Sequence, residues 1–107
     1  MNLIQFFIYT EINYATNNFF AQTENEKDLI TIEQFIEENF CDSNIARHGQ
    51  CVESEFYSKW ECPQKEMDEL IALLEAPKRI YIRIHSYELA NEYVSFRTFS
   101  NGVWNIK

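Results

Sequence analysis

The residues best suited to chemistry are three cysteines and a histidine, at positions 41, 48, 51 and 62. Cys41, His48, Cys51 and Cys62 are separated by 6, 2 and 10 residues, and four such ligands can hold zinc tetrahedrally. None of the paired short-spacing knuckles common to structural zinc sites occurs, however. The pattern favours small buried cysteines near strand ends and an exposed loop histidine. A small zinc-binding domain remains an alternative.

Nucleophilic catalysis would need a cysteine activated by His48 or His85 and donors for an oxyanion. Only two glycines occur, Gly49 and Gly102, which excludes a glycine-rich phosphate loop and a nucleophile elbow. With 17 acidic residues in 107, some carboxylates lie close together by chance. Such pairs are therefore weak evidence for acid–base chemistry. We predict no catalytic residues, no metal and no cofactor, and a small enzymatic domain is an alternative.

The acidic residues are unevenly distributed. The net charge is −8, but residues 1–77 hold 15 acidic and 4 basic side chains, whereas residues 78–107 hold 2 acidic and 5 basic ones. A negative field repels nucleic acid phosphates and anionic lipid, and it attracts basic partners. We expect a basic protein partner, with no direct contact to nucleic acid or membrane.

Length and composition predict one globular domain over residues 1–107, since 46% of the residues are apolar and no Pro-, Gly- or Ser-rich linker divides the chain. The apolar stretch from Leu3 to Tyr9 is interrupted by Gln5 and lacks a basic leader. An odd number of cysteines fits a reducing compartment. These features predict a cytoplasmic protein.

The periodicity of apolar residues predicts two helices and five strands. A strand is expected over residues 3–14, a loop over 15–27 and a helix over 31–40, where Thr31 and Gln34 form a capping-box pattern. A loop over 41–50 with its turn at Gly49, a strand over 51–60 and a helix over 63–76 follow. Strands are then expected over 78–87, 92–99 and 103–106, the last two joined by an Asn101–Gly102 hairpin. The fold class is α+β, in the order β-α-β-α-β-β-β, with a mostly antiparallel sheet.

The candidate partner-binding surface is centred on the first helix. Its exposed stripe is almost purely anionic, and a neighbouring strand adds two carboxylates and an aromatic anchor. The predicted binding residues are Glu33, Glu37, Glu38, Asp42, Glu53, Glu55 and Tyr57. Carboxylates beside aromatic rings are typical of protein–protein contact surfaces, where the rings supply energy and the charges supply specificity and association rate.

A second surface is basic and aromatic, and it follows one side of the strand over 78–87. Its residues are Arg79, Tyr81, Arg83, His85 and Tyr87. In residue type they resemble the strand surfaces that stack single-stranded nucleic acid. The acidity of the remaining chain opposes phosphate binding, so the pattern favours a solvated strand face paired with the acidic helices.

The profile is similar to that of bacterial toxin-immunity proteins, which are small, acidic, cytoplasmic and aromatic-rich. In residues 91–104, Asn91-Glu92-Tyr93, Val94-Ser95-Phe96 and a turn leading to Trp104 resemble the tail of the immunity proteins of ribosome-cleaving colicins, departing from it at Arg97 and Asn101. The resemblance implies a protein that neutralises a cationic nuclease toxin by occlusion. The alternative is a phage-encoded, nucleic-acid-mimicking inhibitor of a host defence complex, of the anti-CRISPR type.

Overall fold

The computed structural model describes residues 14–107. These residues form six strands and two helices: β1 (Tyr14–Gln22), α1 (Glu26–Asn39), β2 (Asn44–His48), β3 (Cys51–Lys59), α2 (Gln64–Leu73), β4 (Tyr81–Glu88), β5 (Tyr93–Ser100) and β6 (Val103–Ile106). The strands form one sheet in the order β2-β3-β1-β4-β5-β6, and every neighbouring pair is antiparallel. The predicted α+β class, with two helices and an antiparallel sheet, is confirmed.

Both helices pack on one face of the sheet. Because side chains alternate between the two faces of a strand, every second strand residue points towards the helices. Four strands contribute a row of buried residues to this face through Val52, Ala21, Ile82 and Phe99, which are paired in register. The helices complete the core with buried aliphatic residues, namely Leu29, Ile32, Ile36, Met67 and Leu70.

The predicted loop over 15–27 is wrong, because β1 and the start of α1 occupy it. The adjacent rings of Phe19 and Phe20 explain the error. Phe19 is 3% exposed in the core, whereas Phe20 lies on the other face of the sheet. Between polar neighbours, this alternation is a weak signal of a central strand. The strand predicted over 3–14 lies outside the described residues except for Tyr14.

A buried asparagine occupies the middle of β1. Asn17 is fully buried, and its Nδ2 donates to the Phe56 carbonyl (3.2 Å) and to Ser58 Oγ (3.0 Å). Its Oδ1 accepts from Ser86 Oγ at 2.6 Å. These bonds link β1 to both neighbouring strands and offset the cost of burying an amide.

The boundaries of the other elements correct several predictions. Asn25 caps α1 and accepts from the Asp28 N–H, so the helix begins before the predicted Thr31 cap, whose hydroxyl instead donates to the Lys27 carbonyl. The predicted loop over 41–50 contains β2, and the expected turn at Gly49 joins β2 to β3. The strand predicted over 51–60 ends at Lys59, and Trp60 beyond it is 58% exposed.

The C-terminal third matches its prediction more closely. Ile80, Ile82 and Ile84 are buried together, although the strand begins only at Tyr81, because residues Pro77–Arg79 form a 3-10 turn. The Asn101–Gly102 hairpin is confirmed, and both of its residues have the positive φ that such a turn requires. The Phe99 and Trp104 rings pair across the hairpin with centroids 5.2 Å apart.

A buried carboxylate joins the two helical segments. Asp28 is 1% exposed in the first turn of α1, and its two oxygens accept from the backbone N–H groups of Glu75 (2.8 Å) and Ala76 (3.0 Å). These donors lie in the connection between α2 and β4. The carboxylate also lies at the positive end of the α1 dipole.

We expect Asp28→Ala to lower the free energy of unfolding by about 2–4 kcal/mol, because two part-buried backbone donors lose their acceptor. Urea denaturation followed by circular dichroism measures this loss. The matched control is Glu38→Gln, which alters an exposed carboxylate of the same helix and should leave stability nearly unchanged. Equal stability of the two variants would show that Asp28 does not hold this connection.

Candidate functional site

The face of the sheet opposite the helices is named the open face, since no element among residues 14–107 covers it. It is formed by alternate residues of the strands, with carboxylates on β3 and a mixture of aromatic and basic groups on β4. Its principal side chains are Thr16, Asn18, Phe20, Glu53, Glu55, Tyr57, Tyr81, Arg83, His85, Tyr87 and Phe96.

Aromatic and cationic side chains contact each other across the open face. The guanidinium carbon of Arg83 lies 4.4 Å from the centre of the Phe20 ring, which also meets Tyr81 edge-on. His85 lies between the rings of Tyr87 (5.6 Å) and Phe96 (6.5 Å). The expected pairing of this basic surface with the acidic helices is therefore wrong, because the sheet separates them.

Two more residues correct the sequence-based assignments for this surface. Arg79 does not belong to the open face, because it lies in the 3-10 turn before β4. Phe96, which the sequence did not assign to this surface, is half-buried on the open face, where its backbone pairs with that of His85.

Three of the predicted binding residues lie side by side on the open face of β3. Glu53, Glu55 and Tyr57 are all exposed and alternate with buried residues of the strand. The Tyr57 hydroxyl donates to Glu55 Oε1 at 3.0 Å. This hydrogen bond, together with the negative charge of Glu55, raises the pKa of Tyr57.

On the helix side, the predicted residue Glu33 is paired with a cation that the sequence did not indicate. Arg47 of the edge strand β2 donates to Glu33 and, at 2.6 Å, to Glu26. The bonds to these two carboxylates raise the pKa of the guanidinium group. Arg47 thus neutralises part of the acidic stripe, which leaves Glu37, one turn beyond Glu33, as its exposed charge on this side of α1.

The remaining two predicted residues, Glu38 and Asp42, lie in different places. Glu38 is exposed but points about 100° around the helix from Glu37. Asp42 follows α1 in the left-handed region (φ 56°) and lines, with Tyr57, a hollow of about 940 Å³ at the end of β3. Asp42 is also close enough to Tyr57 to raise the pKa of its phenol.

The predicted residues therefore occupy two sides of the edge strand β2. Glu33 and Glu37 lie on its helix side, Glu53 and Glu55 lie on its open side, and Asp42 lies at the corner between them. These five residues are named the acidic edge. The strand that joins the two sides was missed because Ile45 is its only large apolar residue.

The four metal-capable residues are not brought together. Cys51 and His48 pair at the start of β3, whereas Cys41 and Cys62 line the hollow beyond its far end. Within residues 14–107 no group of three or more His, Cys, Asp or Glu side chains is arranged to hold a metal. Burial raises the pKa of the Cys62 thiol, which disfavours its nucleophilic form.

Comparisons with protein-family models, with curated proteins and with solved structures find no match for this chain. Neither helix in the described part of the chain is long and apolar enough to cross a membrane.

We expect Glu55→Gln to lower the pKa of Tyr57 towards the ordinary phenol value of about 10, because ionisation would no longer place two negative charges together. An NMR titration of the Tyr57 ring carbons, assigned with Tyr57→Phe, measures the change. Glu38→Gln serves as the control on the helix side. An unchanged Tyr57 pKa in Glu55→Gln would contradict the hydrogen bond.

The three thiols should react at different rates. Cys41 is exposed, whereas Cys62 is 4% exposed and its pKa is raised, so an alkylating reagent should modify Cys41 first and Cys62 only when the protein unfolds. Peptide mass mapping over time gives the order of modification. Similar rates at the two sites in the folded protein would show that the packing around Cys62 opens readily.

Proposed function

We propose that this chain is an immunity or inhibitor protein that binds and occludes a basic toxin, a nuclease, through the acidic edge and Tyr57. The observation that carries the proposal is the placement of carboxylates on both sides of one edge strand. Among the described residues, only Glu33 of the five acidic-edge carboxylates has a cation partner. The other four present negative charge without an internal counter-ion.

The physical basis is electrostatic complementarity. A nuclease must carry a positively charged groove for its phosphate backbone, and an unpaired carboxylate surface attracts such a groove and speeds association. Tyr57 adds a large ring, 41% exposed, at the open side of the acidic edge. Occlusion of the groove would block the substrate without any chemistry by the inhibitor.

The proposal also takes up the resemblance of the tail to the immunity proteins of ribosome-cleaving colicins. Residues 91–104, which carry it, run from the last residue of the 3-10 turn at Leu89–Asn91 through β5 to the start of β6. These elements form the edge of the sheet opposite β2. The resemblance therefore concerns the scaffold, and the binding residues are proposed from charge and position alone.

A nucleic-acid-mimicking phage inhibitor is the second candidate, because the same unpaired carboxylates could occupy the nucleic acid channel of a defence complex. The two functions share their physics and differ in the target. A toxin gene beside this gene supports the first, and a phage early operon supports the second.

The decisive experiment is co-purification of the chain with the products of its flanking genes, followed by kinetics with the basic partner recovered. We expect Glu53→Lys/Glu55→Lys and Glu37→Lys/Asp42→Lys each to slow association by about tenfold or more at low salt, and less at high salt. The matched control is Glu69→Lys/Glu75→Lys, which changes the net charge equally at two exposed carboxylates on and just after α2. This helix contacts the opposite edge of the sheet, through Gln64 to Arg97 and Asp68 to Trp104.

Association slowed equally by all three double variants would reflect net charge rather than a site. Association unaffected by the two acidic-edge variants would refute the proposed surface. Circular dichroism of each variant establishes that the fold is retained.

A further inference from the structure

The open face carries acidic side chains on one side of its central strand and basic side chains at matching positions on the other side. Its central strand is β1, with β3 on one side and β4 on the other. The register places Glu53, Phe20 and Arg83 in one row across these strands. The acidic and the basic member of this row are therefore separated by the width of β1.

The next rows repeat the arrangement. Glu55 and His85 lie on either side of Asn18, and Tyr57 and Tyr87 lie on either side of Thr16. Each group on β3 thus has a complementary or equivalent group on β4 at the same height along the sheet. Strand spacing keeps the members of a row about 10 Å apart, so Glu53 and Arg83 do not satisfy each other within one chain.

A second copy of the chain can satisfy them. A twofold axis parallel to β1, lying just above the open face, exchanges the β3 side with the β4 side and leaves every row at its own height. Glu53 of one copy then faces Arg83 of the other, Glu55 faces His85, and Tyr57 faces Tyr87. Each of these contacts occurs twice, as in any twofold interface.

We propose that the open face binds a second copy of this chain and forms a face-to-face dimer. Two sheets packed in this way lie about 10 Å apart with their strands roughly aligned. The aromatic rings supply apolar contact between the sheets, while the charges select the twofold orientation over other orientations. The proposal does not rest on the function proposed above, and either can fail alone.

The size of the open face is sufficient for such a dimer. The twofold axis along β1 superposes the five strands from β2 to β5 in the sheet order. These strands lie about 4.8 Å apart and most are about eight residues long, which gives a face of roughly 600 Å². Two such faces bury roughly 1,200 Å² in total, at the lower limit for a specific stable interface. Exposed side chains on this face, including Tyr14, Tyr57 and Val94, would be covered.

A single-stranded nucleic acid fits the open face less well than a second copy. Arg83 and the aromatic rings suit such a ligand, but Glu53 and Glu55 lie on the same face and would repel its phosphates. In the dimer, Glu53 meets Arg83 and Glu55 meets His85 of the second copy.

Sedimentation equilibrium of the purified chain over a wide concentration range tests the proposal. We expect a dimer whose dissociation constant increases by about tenfold or more in Arg83→Glu and in Glu53→Arg, since each change places like charges opposite one another. The double variant Glu53→Arg/Arg83→Glu restores opposite charges at both contacts and should regain dimerisation to within about threefold of the original. Glu69→Arg and Arg79→Glu are the matched controls away from the open face and should dimerise normally.

The double variant distinguishes a loss of contacts at the interface from a loss of folding stability. Arg83→Glu also removes the contact with the Phe20 ring, but the double variant lacks that contact too, so its recovery cannot be explained by stability. Thermal unfolding of all variants is measured in parallel. A partner bound at Glu53 and Glu55 would compete with the second copy, so the measurement uses the chain alone.

Several outcomes would overturn the proposal. One such outcome is a wild-type chain that remains a monomer at all concentrations. If the open-face rings of that monomer are protected from side-chain labelling, residues 1–13 would be the cover. A dimer that is indifferent to both single variants would place the interface elsewhere. Binding of a single-stranded oligonucleotide by a monomeric wild type, lost in Arg83→Glu, would assign the face to nucleic acid.

Discussion

The rest of the structure depends on β1, which must pair with a strand on each side and also pack against the core. As a central strand it must pair along both edges and face the core on one side, yet its buried residues are Ala15, Asn17, Phe19 and Ala21, of which only one is large. The hydrogen bonds of Asn17 to β3 and Ser86 replace some of the missing apolar contact. The helices then supply the bulk of the core through their aliphatic side chains.

The fold converts a charge asymmetry along the chain into an asymmetry of surfaces. Acidic residues from α1 and β3 meet around the edge strand β2, whereas the basic residues of β4 lie beyond β1 on the open face. Two carboxylates of α1 add less to the exposed negative charge than the sequence indicates. Asp28 is buried against backbone donors, and Glu33 is paired with Arg47. The exposed negative charge is consequently smaller and more localised than the sequence indicates.

Segments with strong local signals were predictable because their information lies in neighbouring residues. The alternation of Ile80, Ile82 and Ile84 marks a strand with one buried side, and Asn101–Gly102 marks a tight hairpin. β1 and β2 lack such signals, since their polar residues are stabilised by partners distant in the sequence. Asn17 contacts Phe56 and Ser86, and Arg47 contacts Glu26 and Glu33.

The sequence by itself determined the α+β class, the two helices, the C-terminal hairpin and the candidate carboxylates, because each depends on residue type and short-range spacing. Only the tertiary structure decided how these carboxylates divide between two sides of β2, and which of them meets a cation. It also decided that the basic and aromatic side chains of β4 face away from the helices and share a surface with Glu53 and Glu55. The physical reason is that strand order and register bring together residues far apart in the chain, and no local pattern encodes that pairing.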